Sequence, residues 1–394
     1  MDFIPWLLLP VAAAAGWWSA HRTSKKKSAN AIPELNDEYV RGLNFLLNEQ
    51  PDKAIEALIN VVDTDHETVN THLVLGALFR RRGEVERAIR IHQNVIARPT
   101  LTTEQRETAM LELGTDYYKA GVLDRAENIF SKLADKQSQN KRVYQRLQEI
   151  YEQQKDWQQA IAVAKKLKRL GDKTQAFQIA QYHCELADTL LQTQKLVEAM
   201  AEIKLALKHD ERCFRAHLLL GDVYVAQQSY TKAEQSYKKV FEINRGFAPI
   251  AYDRIFSMYA TQDKLAQLLH DLESHDLESN AAARYTKLRA HTTLQDERAV
   301  RDFLHAELAQ KNASPILVKR YLELMRESTD GDVQQTFATL YELLDVELAN
   351  YRSFRCTSCG YDTNTLFWNC PGCRKWGTSK PSRFMSIEYG QDLD

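Results

Sequence analysis

One pattern of small and large side chains recurs six times in the first two-thirds of the chain. Each copy has a small residue, a bulky residue three positions later, an alanine twelve positions after the small one, and a further packing residue four positions beyond the alanine. The six copies begin at Gly42, Gly76, Gly114, Gln148, Ala187 and Gly221, where Gln148 departs from the rule. The spacings are 34, 38, 34, 39 and 34 residues. This period predicts a stacked array of similar supersecondary units.

The order of residues in each unit is typical of two antiparallel helices that cross closely. A small residue on the first helix (helix A) admits the second helix (helix B), and the bulky residue fills the space beside it. The unit resembles the tetratricopeptide repeat, with the resemblance carried by Leu75-Gly76, Leu113-Gly114 and Leu220-Gly221. We therefore predict an all-α tetratricopeptide-repeat superhelix with six repeats over residues 35–246.

Beyond Asn244 the pattern weakens, although apolar residues such as Ile255, Met258 and Leu265 keep helical spacing. We predict two or three degenerate helical repeats over residues 247–350. The last helix is expected to run from about Val333 to Leu348.

Repeat solenoids bind partners along the concave face that their A helices line. Seven residues fall on this face when the small residue is placed at position eight of each unit. They are Asn70, Arg80, Arg81, Tyr118, Lys119, Arg142 and Glu152. We predict partner binding by Arg80, Arg81, Tyr118, Lys119 and Arg142. The alternative is that they are ordinary solvated helix residues.

Two C-x-x-C pairs lie near the C-terminus, formed by Cys356, Cys359, Cys370 and Cys373 and separated by ten residues. Two such turns supply the four thiolates that tetrahedral zinc prefers. Gly360 and Pro371-Gly372 stand where the two turns reverse direction, since glycine tolerates positive φ. We predict a four-cysteine metal module over residues 351–381, followed by a tail over 382–394.

Three roles for this module remain open from the residues alone. A structural zinc ribbon is favoured, whereas C-x-x-C-G-Y and C-P-x-C also suggest a rubredoxin-type iron centre. The third role is nucleic-acid binding, because five basic residues against Asp362 give the module a charge of about plus four. The basic residues are Arg352, Arg355, Arg374, Lys375 and Lys380. Phe367 and Trp368 could stack on bases, but the segment between the pairs has no basic residue.

An uncharged segment of 18 residues, Phe3 to Ala20, opens the chain. A helix of this length spans about 27 Å, and tryptophans near both ends match the interfaces of a lipid bilayer. A cleavable signal peptide is the alternative, but it carries its positive charge before the apolar run. Here Arg22, Lys25, Lys26 and Lys27 follow it. We predict a transmembrane anchor over residues 1–20 and a basic juxtamembrane linker over 21–34, with the remainder on the cytoplasmic side.

Composition narrows the function further. Only Cys184 and Cys213 lie outside the metal module, which favours a reducing compartment. Lys plus Arg (52) nearly equals Asp plus Glu (53), so no general attraction to nucleic acid is expected. The sequence has no G-x-S-x-G, phosphate-binding glycine loop or H-E-x-x-H motif. We predict a protein that is not an enzyme.

The order of anchor, repeats and the cysteine segment CTSCGYDTNTLFWNCPGCRKWGT resembles the lipopolysaccharide assembly protein B family of Gram-negative bacteria. The resemblance covers the whole chain. It implies a single-pass protein of the bacterial inner membrane that regulates lipopolysaccharide synthesis. The implied activity is to promote degradation of the lipid A pathway deacetylase LpxC by the membrane protease FtsH. The implied partners also include an inner-membrane regulatory protein that senses lipopolysaccharide.

The alternative to this role is a scaffold that assembles lipopolysaccharide biosynthesis or transport proteins without promoting proteolysis. The sequence leaves open whether the chain forms homo-oligomers and whether lipopolysaccharide binds directly.

Overall fold

A computed structural model describes residues 40–42, 44–45, 50, 53–55, 57, 69–136, 140–274, 281–309, 315–349 and 352–381. The predicted anchor over 1–20, the basic linker over 21–34 and the tail over 382–394 lie outside these residues. Among the described residues, no helix combines the length and apolarity needed to cross a membrane.

The chain forms two compact units, Met1–Ile150 and Tyr151–Asp394, with the boundary inside helix α5. The first unit contains α1 (Val69–Arg82), α2 (Val85–Ile96), α3 (Thr103–Lys119), α4 (Leu123–Lys136) and the start of α5 (Lys141–Gln154). In the second unit, α6 (Trp157–Arg169), α7 (Gln175–Gln192), α8 (Leu196–His209), α9 (Phe214–Ala226) and α10 (Tyr230–Ile243) continue the alternation of A and B helices.

A short 3₁₀ turn, Arg245–Phe247, precedes three further helix pairs in the region where the consensus decays. They are α11 (Ala248–Thr261) with α12 (Leu265–Ser274), α13 (Ala281–Thr293) with α14 (Glu297–Ala309), and α15 (Pro315–Ser328) with α16 (Gly331–Ala349). The predicted all-helical tetratricopeptide-repeat fold is confirmed.

Close crossing of the A and B helices explains the small residue of each repeat. A Cβ atom added at Gly221 would lie 2.2 Å from the ring of Tyr237. A Cβ atom added at Gly114 would lie 2.9 Å from the ring of Phe130, and one added at Gly76 would lie 2.5 Å from the ring of His92. These distances are far shorter than a van der Waals contact, so any side chain here would force the two helices apart.

Seven of the eight described helix pairs, all except α15/α16, have a left-handed residue at the end of the A helix. We call the position of the small residue in each repeat the helix-crossing position. The left-handed residue stands seven positions after it in each of these pairs. The seven residues are Gly83, Gly121, Lys155, Gln194, Gln228, Asp263 and Gln295, with φ between 56° and 90°. In each case the next backbone N–H donates to the carbonyl of the bulky residue, as Ser229 does to Tyr224 at 2.8 Å. This is the hydrogen bond of a Schellman cap, which satisfies a carbonyl at the helix end.

The cap also gives the register of the degenerate repeats. Counting back seven positions from Asp263 and Gln295 places Phe256 and Leu288 at the helix-crossing position, and both are buried. The backbone repeat therefore persists while large side chains replace the glycine or alanine. This substitution is why the sequence pattern decays after Asn244.

The C-terminal module is a small antiparallel sheet with strand order β2-β1-β3. Its strands are β1 (Phe354–Cys356), β2 (Asp362–Thr363) and β3 (Ser379–Pro381). Phe354 pairs with Thr363 on one side and with Pro381 on the other. An apolar cluster of the second unit, built from α9 to α13, also receives Leu366 and Trp368 of this module.

Candidate metal centre

Two turns of identical hydrogen bonding carry the four cysteines. In the first, the Gly360 N–H donates to the Cys356 carbonyl at 2.9 Å, and the Cys356 N–H donates to the Tyr361 carbonyl at 2.9 Å. In the second, the Arg374 N–H donates to the Cys370 carbonyl at 2.7 Å and the Cys370 N–H donates to the Lys375 carbonyl at 3.0 Å. Each turn projects its two sulfur atoms toward the other turn.

The backbone of the second turn differs from the sequence-based expectation. Gly360 has φ of 75°, as predicted, but the equivalent left-handed residue of the second turn is Arg374, with φ of 57°. Gly372 is not among the residues with positive φ; instead, a Cβ there would lie 3.3 Å from the Cys359 sulfur. The close approach of the first turn therefore favours glycine at position 372, and its own φ does not.

The structure brings the four predicted cysteine ligands together. Their sulfur atoms all lie within 4.8 Å of one another. Cys356 and Cys373 sulfurs are 3.7 Å apart, as are those of Cys359 and Cys370. Four sulfurs about 2.3 Å from a central ion would be about 3.8 Å apart in a regular tetrahedron. The cage thus fits a tetrahedral thiolate metal such as zinc or iron, and four protein ligands leave no position for a reacting water.

The surroundings favour the thiolate form of Cys356 and Cys373 but not that of Cys359. The backbone amide of Tyr361 lowers the pKa of Cys359, but desolvation and the hydrogen bonds with the other three cysteines outweigh it and raise that pKa to about 12. Desolvation opposes ionisation of Cys356, but hydrogen bonding with Thr378 and with the backbone amides of Cys359 and Ser358 outweighs it and lowers the pKa of Cys356 to about 6. The backbone amide of Lys375 lowers the pKa of Cys373. Backbone amide donors of this kind stabilise negative sulfur and tune a bound metal.

The metal module is fixed to the repeats through Trp376. Its indole N–H donates to Glu152 on α5 at 3.1 Å, and the hydroxyl of Tyr182 on α7 donates to the same carboxylate oxygen. The Trp376 ring meets Trp157 and Tyr182 edge-on, with centroids 5.8 and 5.7 Å away. Glu152, which the sequence predicts on the concave face, therefore binds the chain's own module.

A second anchor point is Trp368, on the loop between the cysteine pairs. Its ring stacks on Phe247 with centroids 5.9 Å apart and meets Phe214 at 5.7 Å. The guanidinium of Arg215 lies 5.0 Å from the Trp368 centroid and is only 2% exposed, held by Glu185 at 2.7 Å. Trp368 is thus half-buried against the repeats, where it serves as a packing residue.

Close backbone approach completes the docking surface. Gly377 has φ of 65°, and a Cβ there would lie 2.9 Å from the ring of Phe177 on α7. Sequence reasoning missed this surface, in particular Trp376, Arg215 and Phe177. The only signal was the presence of Trp368 and Trp376 in a short module, because large aromatic side chains in a segment too small to bury them need a partner surface.

The predicted partner-binding residues all lie in the first unit, where their surroundings differ. Arg81 and Lys119 are exposed, whereas Tyr118 is half-buried beneath Arg146. Arg142 is exposed and reaches Glu112 at 3.2 Å. Partner binding by these residues stays a prediction.

Arg80 has the most restricted surroundings of the predicted set. Its side chain is 12% exposed and forms ion pairs of 2.6 Å with both Glu112 and Asp116. The other oxygen of Asp116 contacts His92, and both of these side chains are fully buried. Arg80 therefore holds α1 against α3 within the first unit.

Comparison with known protein families agrees with the two kinds of fold in the chain. A family model described as a rubredoxin metal binding domain matches residues 354–381. Tetratricopeptide repeat models match residues 71–107, 111–173 and 184–244.

Two relatives are similar over nearly their full length. Lipopolysaccharide assembly protein B of Escherichia coli strain K12 is 34% identical over 378 residues, which cover 96% of this chain and 97% of the relative. The Haemophilus influenzae protein of the same name is 30% identical over 385 residues, covering 95% and 97%.

Among solved structures, the C-terminal part of a tetratricopeptide repeat-containing protein from Cytophaga hutchinsonii covers 65% of this chain and 96% of its own. It has 13% identity and a TM-score of 0.41.

Proposed function

Since the chain belongs to the lipopolysaccharide assembly protein B family, we propose that it is an inner-membrane adaptor that regulates lipopolysaccharide synthesis. Its proposed action is to bring the deacetylase LpxC to the membrane protease FtsH and so promote LpxC degradation. A regulatory membrane protein that senses lipopolysaccharide is the proposed restraint on this action.

The observation that carries the proposal is the docking of a closed four-cysteine module on a helical repeat array. Trp376 and Trp368 attach the module to α5, α7 and α9, so the second unit presents repeats and module as one composite surface. Repeat arrays supply extended surfaces for protein partners. A sulfur cage with four protein ligands suits a structural role better than catalysis. Both features support an adaptor whose chemistry belongs to its partners.

Zinc is the proposed metal, held by Cys356, Cys359, Cys370 and Cys373. It would supply no redox chemistry and would tie the two turns into a folded module that Trp376 can anchor. Elemental analysis of the purified chain should give one zinc per chain. A red protein that contains iron, with thiolate-to-iron absorption bands, would contradict the zinc assignment.

Membrane anchoring contributes proximity in this proposal. The uncharged segment over residues 3–20 would confine the adaptor to the bilayer that holds the protease, which raises the effective concentration of one for the other. A chain that begins at residue 21 should fold but regulate poorly. Undiminished control by residues 21–394 would contradict the role of proximity.

The half-life of LpxC tests the proposal. Cells that lack this protein should retain LpxC for longer than cells that carry it, and the difference should vanish when FtsH is inactive. An unchanged half-life, together with co-purification of lipopolysaccharide biosynthesis or transport proteins, would favour the scaffold without a proteolytic role.

A further inference from the structure

Two adjacent B helices of the second unit end in a cluster of cations. Helix α6 carries Lys165, Lys166, Lys168 and Arg169 and has no acidic residue. On α8, Lys204 and Lys208 lie in the C-terminal half, and both are exposed. We name Lys165, Lys168, Lys204 and Lys208 the lysine patch. None of these four side chains forms an ion pair with any residue that the structure describes.

The cations of the two helices lie close enough to act on the same neighbours. Desolvation lowers the pKa of His209 on α8, and the charges of His183, Lys168, Lys165 and Lys208 lower it further. The His183 and His209 rings are stacked with centroids 5.8 Å apart. Helices α6 and α8 both pack on α7, where Trp157 of α6 stacks on Tyr182 and Glu202 of α8 pairs with His183 at 2.6 Å. The lysines of α6 and α8 therefore flank α7 and form a mainly positive surface, in which Glu202 is an acidic exception.

Exposed aliphatic side chains accompany the lysines on α8. Val197 is 82% exposed and Leu205 is 39% exposed. With Ala201, Lys204 and Lys208 they have the spacing of a single helix face. Stabilisation of cations by a helix C-terminus explains lysines in the last turn. It does not explain exposed valine and leucine on the same face.

The metal module does not cover this surface. Its described contacts fall on α5, α7, the 3₁₀ turn at Phe247 and the cluster built from α9 to α13, and on Trp157, the first residue of α6. The lysine patch occupies the last turns of α6 and the second half of α8. The patch is thus a separate surface of the second unit.

We propose that the lysine patch docks the repeats on an anionic phospholipid membrane. Lysines next to exposed aliphatic residues are typical of helix faces that lie on a lipid interface, where the lysine stems pack on lipid and the ammonium groups meet phosphate. Single-stranded nucleic acid prefers aromatic side chains between the cations, and the patch has none. The proposal goes beyond regulation of proteolysis, because it concerns how the repeats are oriented at a bilayer.

The test uses the full chain in nanodiscs of phosphatidylcholine alone and of phosphatidylcholine with added phosphatidylglycerol. Acylation of each lysine by a soluble ester is followed by mass spectrometry. The four patch lysines should react at least about tenfold more slowly in the anionic discs, and high salt should restore their reactivity because it screens the attraction. Equal reactivity in the two lipids would overturn the proposal.

Charge-reversal variants provide the matched control. A variant with Lys165→Glu, Lys168→Glu, Lys204→Glu and Lys208→Glu should lose the lipid-dependent protection of α6 and α8 from hydrogen exchange. The same change at four exposed lysines elsewhere, Lys132, Lys136, Lys141 and Lys264, should leave that protection intact. Equal loss in both variants would contradict a specific patch. Protection of the patch by a uridine homopolymer without anionic lipid would favour nucleic acid instead.

Comparing neutral with anionic discs distinguishes failure of the lysine patch from failure of the predicted membrane anchor. If residues 3–20 do not insert, the chain should stay out of the neutral discs but still bind the anionic discs through the patch. If both the anchor and the patch fail, neither disc should retain the chain.

Discussion

The indole of Trp376 and the carboxylate of Glu152 form a hydrogen bond of 3.1 Å across 224 residues of sequence. Tyr182 donates to the same carboxylate oxygen. One acidic side chain on α5 therefore accepts one hydrogen bond from the repeats and one from the metal module. This bond joins the C-terminal metal module to the fourth and fifth repeats.

Replacing Trp376 should release the module without removing its metal. Trp376→Ala loses the hydrogen bond and the aromatic packing, at a cost of about 3 kcal/mol to docking. We expect faster hydrogen exchange in residues 352–381 and in the N-terminal half of α7, with unchanged metal content. Phe367→Ala is the control, since Phe367 is exposed and belongs to the same module. Unchanged exchange in Trp376→Ala would refute the docking role.

Loss of one sulfur ligand should unfold the module locally. Cys359→Ser leaves three thiolates, which lowers metal affinity and removes the cross-link between the two turns. The metal content should fall well below one per chain while the helical signal of the repeats persists. Cys184→Ser, outside the cage, should keep the metal. Full metal content in Cys359→Ser would show that the cage is not the binding site.

Because the cap residue is left-handed, we expect glycine substitutions at two neighbouring positions to change stability in opposite directions. Gln228 has φ of 58°, whereas its neighbour Gln227 has φ of −86°. Gln228→Gly should stabilise the sixth repeat by about 0.5–1 kcal/mol, because a side chain at positive φ is strained. Gln227→Gly should destabilise it by a similar amount. Hydrogen exchange of α9 and α10 measures both, and the same sign for both variants would contradict the cap geometry.

The Arg80–Glu112 pair predicts a pH dependence of stability in the first unit. Desolvation alone would raise the pKa of Glu112, but the hydrogen bond and ion pair with Arg80 outweigh it and lower that pKa. Since the folded pKa lies below the unfolded value, the added stability is present above about pH 4.3 and is lost as the pH falls through the folded pKa.

Glu112→Gln should therefore weaken α3 by about 1–2 kcal/mol at neutral pH and flatten this acid dependence. Hydrogen exchange of α3 between neutral and acid pH provides the measurement. Glu149→Gln is the control, because Glu149 is 42% exposed and its one ion pair among the described residues is with Arg146 of its own helix. Equal effects of the two substitutions would argue against a special role for the Arg80–Glu112 pair.

The sequence predicts the repeats well because steric exclusion selects the residues at each crossing. Gly221 is obligatory opposite Tyr237, and a pattern of that kind is visible without a structure. The degenerate repeats are harder to see, since Phe256 and Leu288 fill the same position with large side chains. Their shared feature is the left-handed cap at Asp263 and Gln295, and no residue type identifies such a cap when glycine is absent.

The metal ligands also follow from local spacing, because a C-x-x-C turn fixes two sulfurs within a few residues. Docking does not follow from local spacing. Nothing near Trp376 in the sequence specifies Glu152, and Arg215 is separated from Trp368 by more than a hundred residues. Such long-range pairs depend on how the repeats stack, which is set by the sum of many crossings and not by one motif.

The most direct test of the account is the rate at which purified FtsH degrades LpxC in vesicles, with and without the full chain. We predict faster degradation when the chain is present, a smaller acceleration with Trp376→Ala and little with Cys359→Ser. A rate that is unchanged by the wild-type chain, with FtsH active on another substrate, would contradict the proposal that this protein is an adaptor for proteolysis.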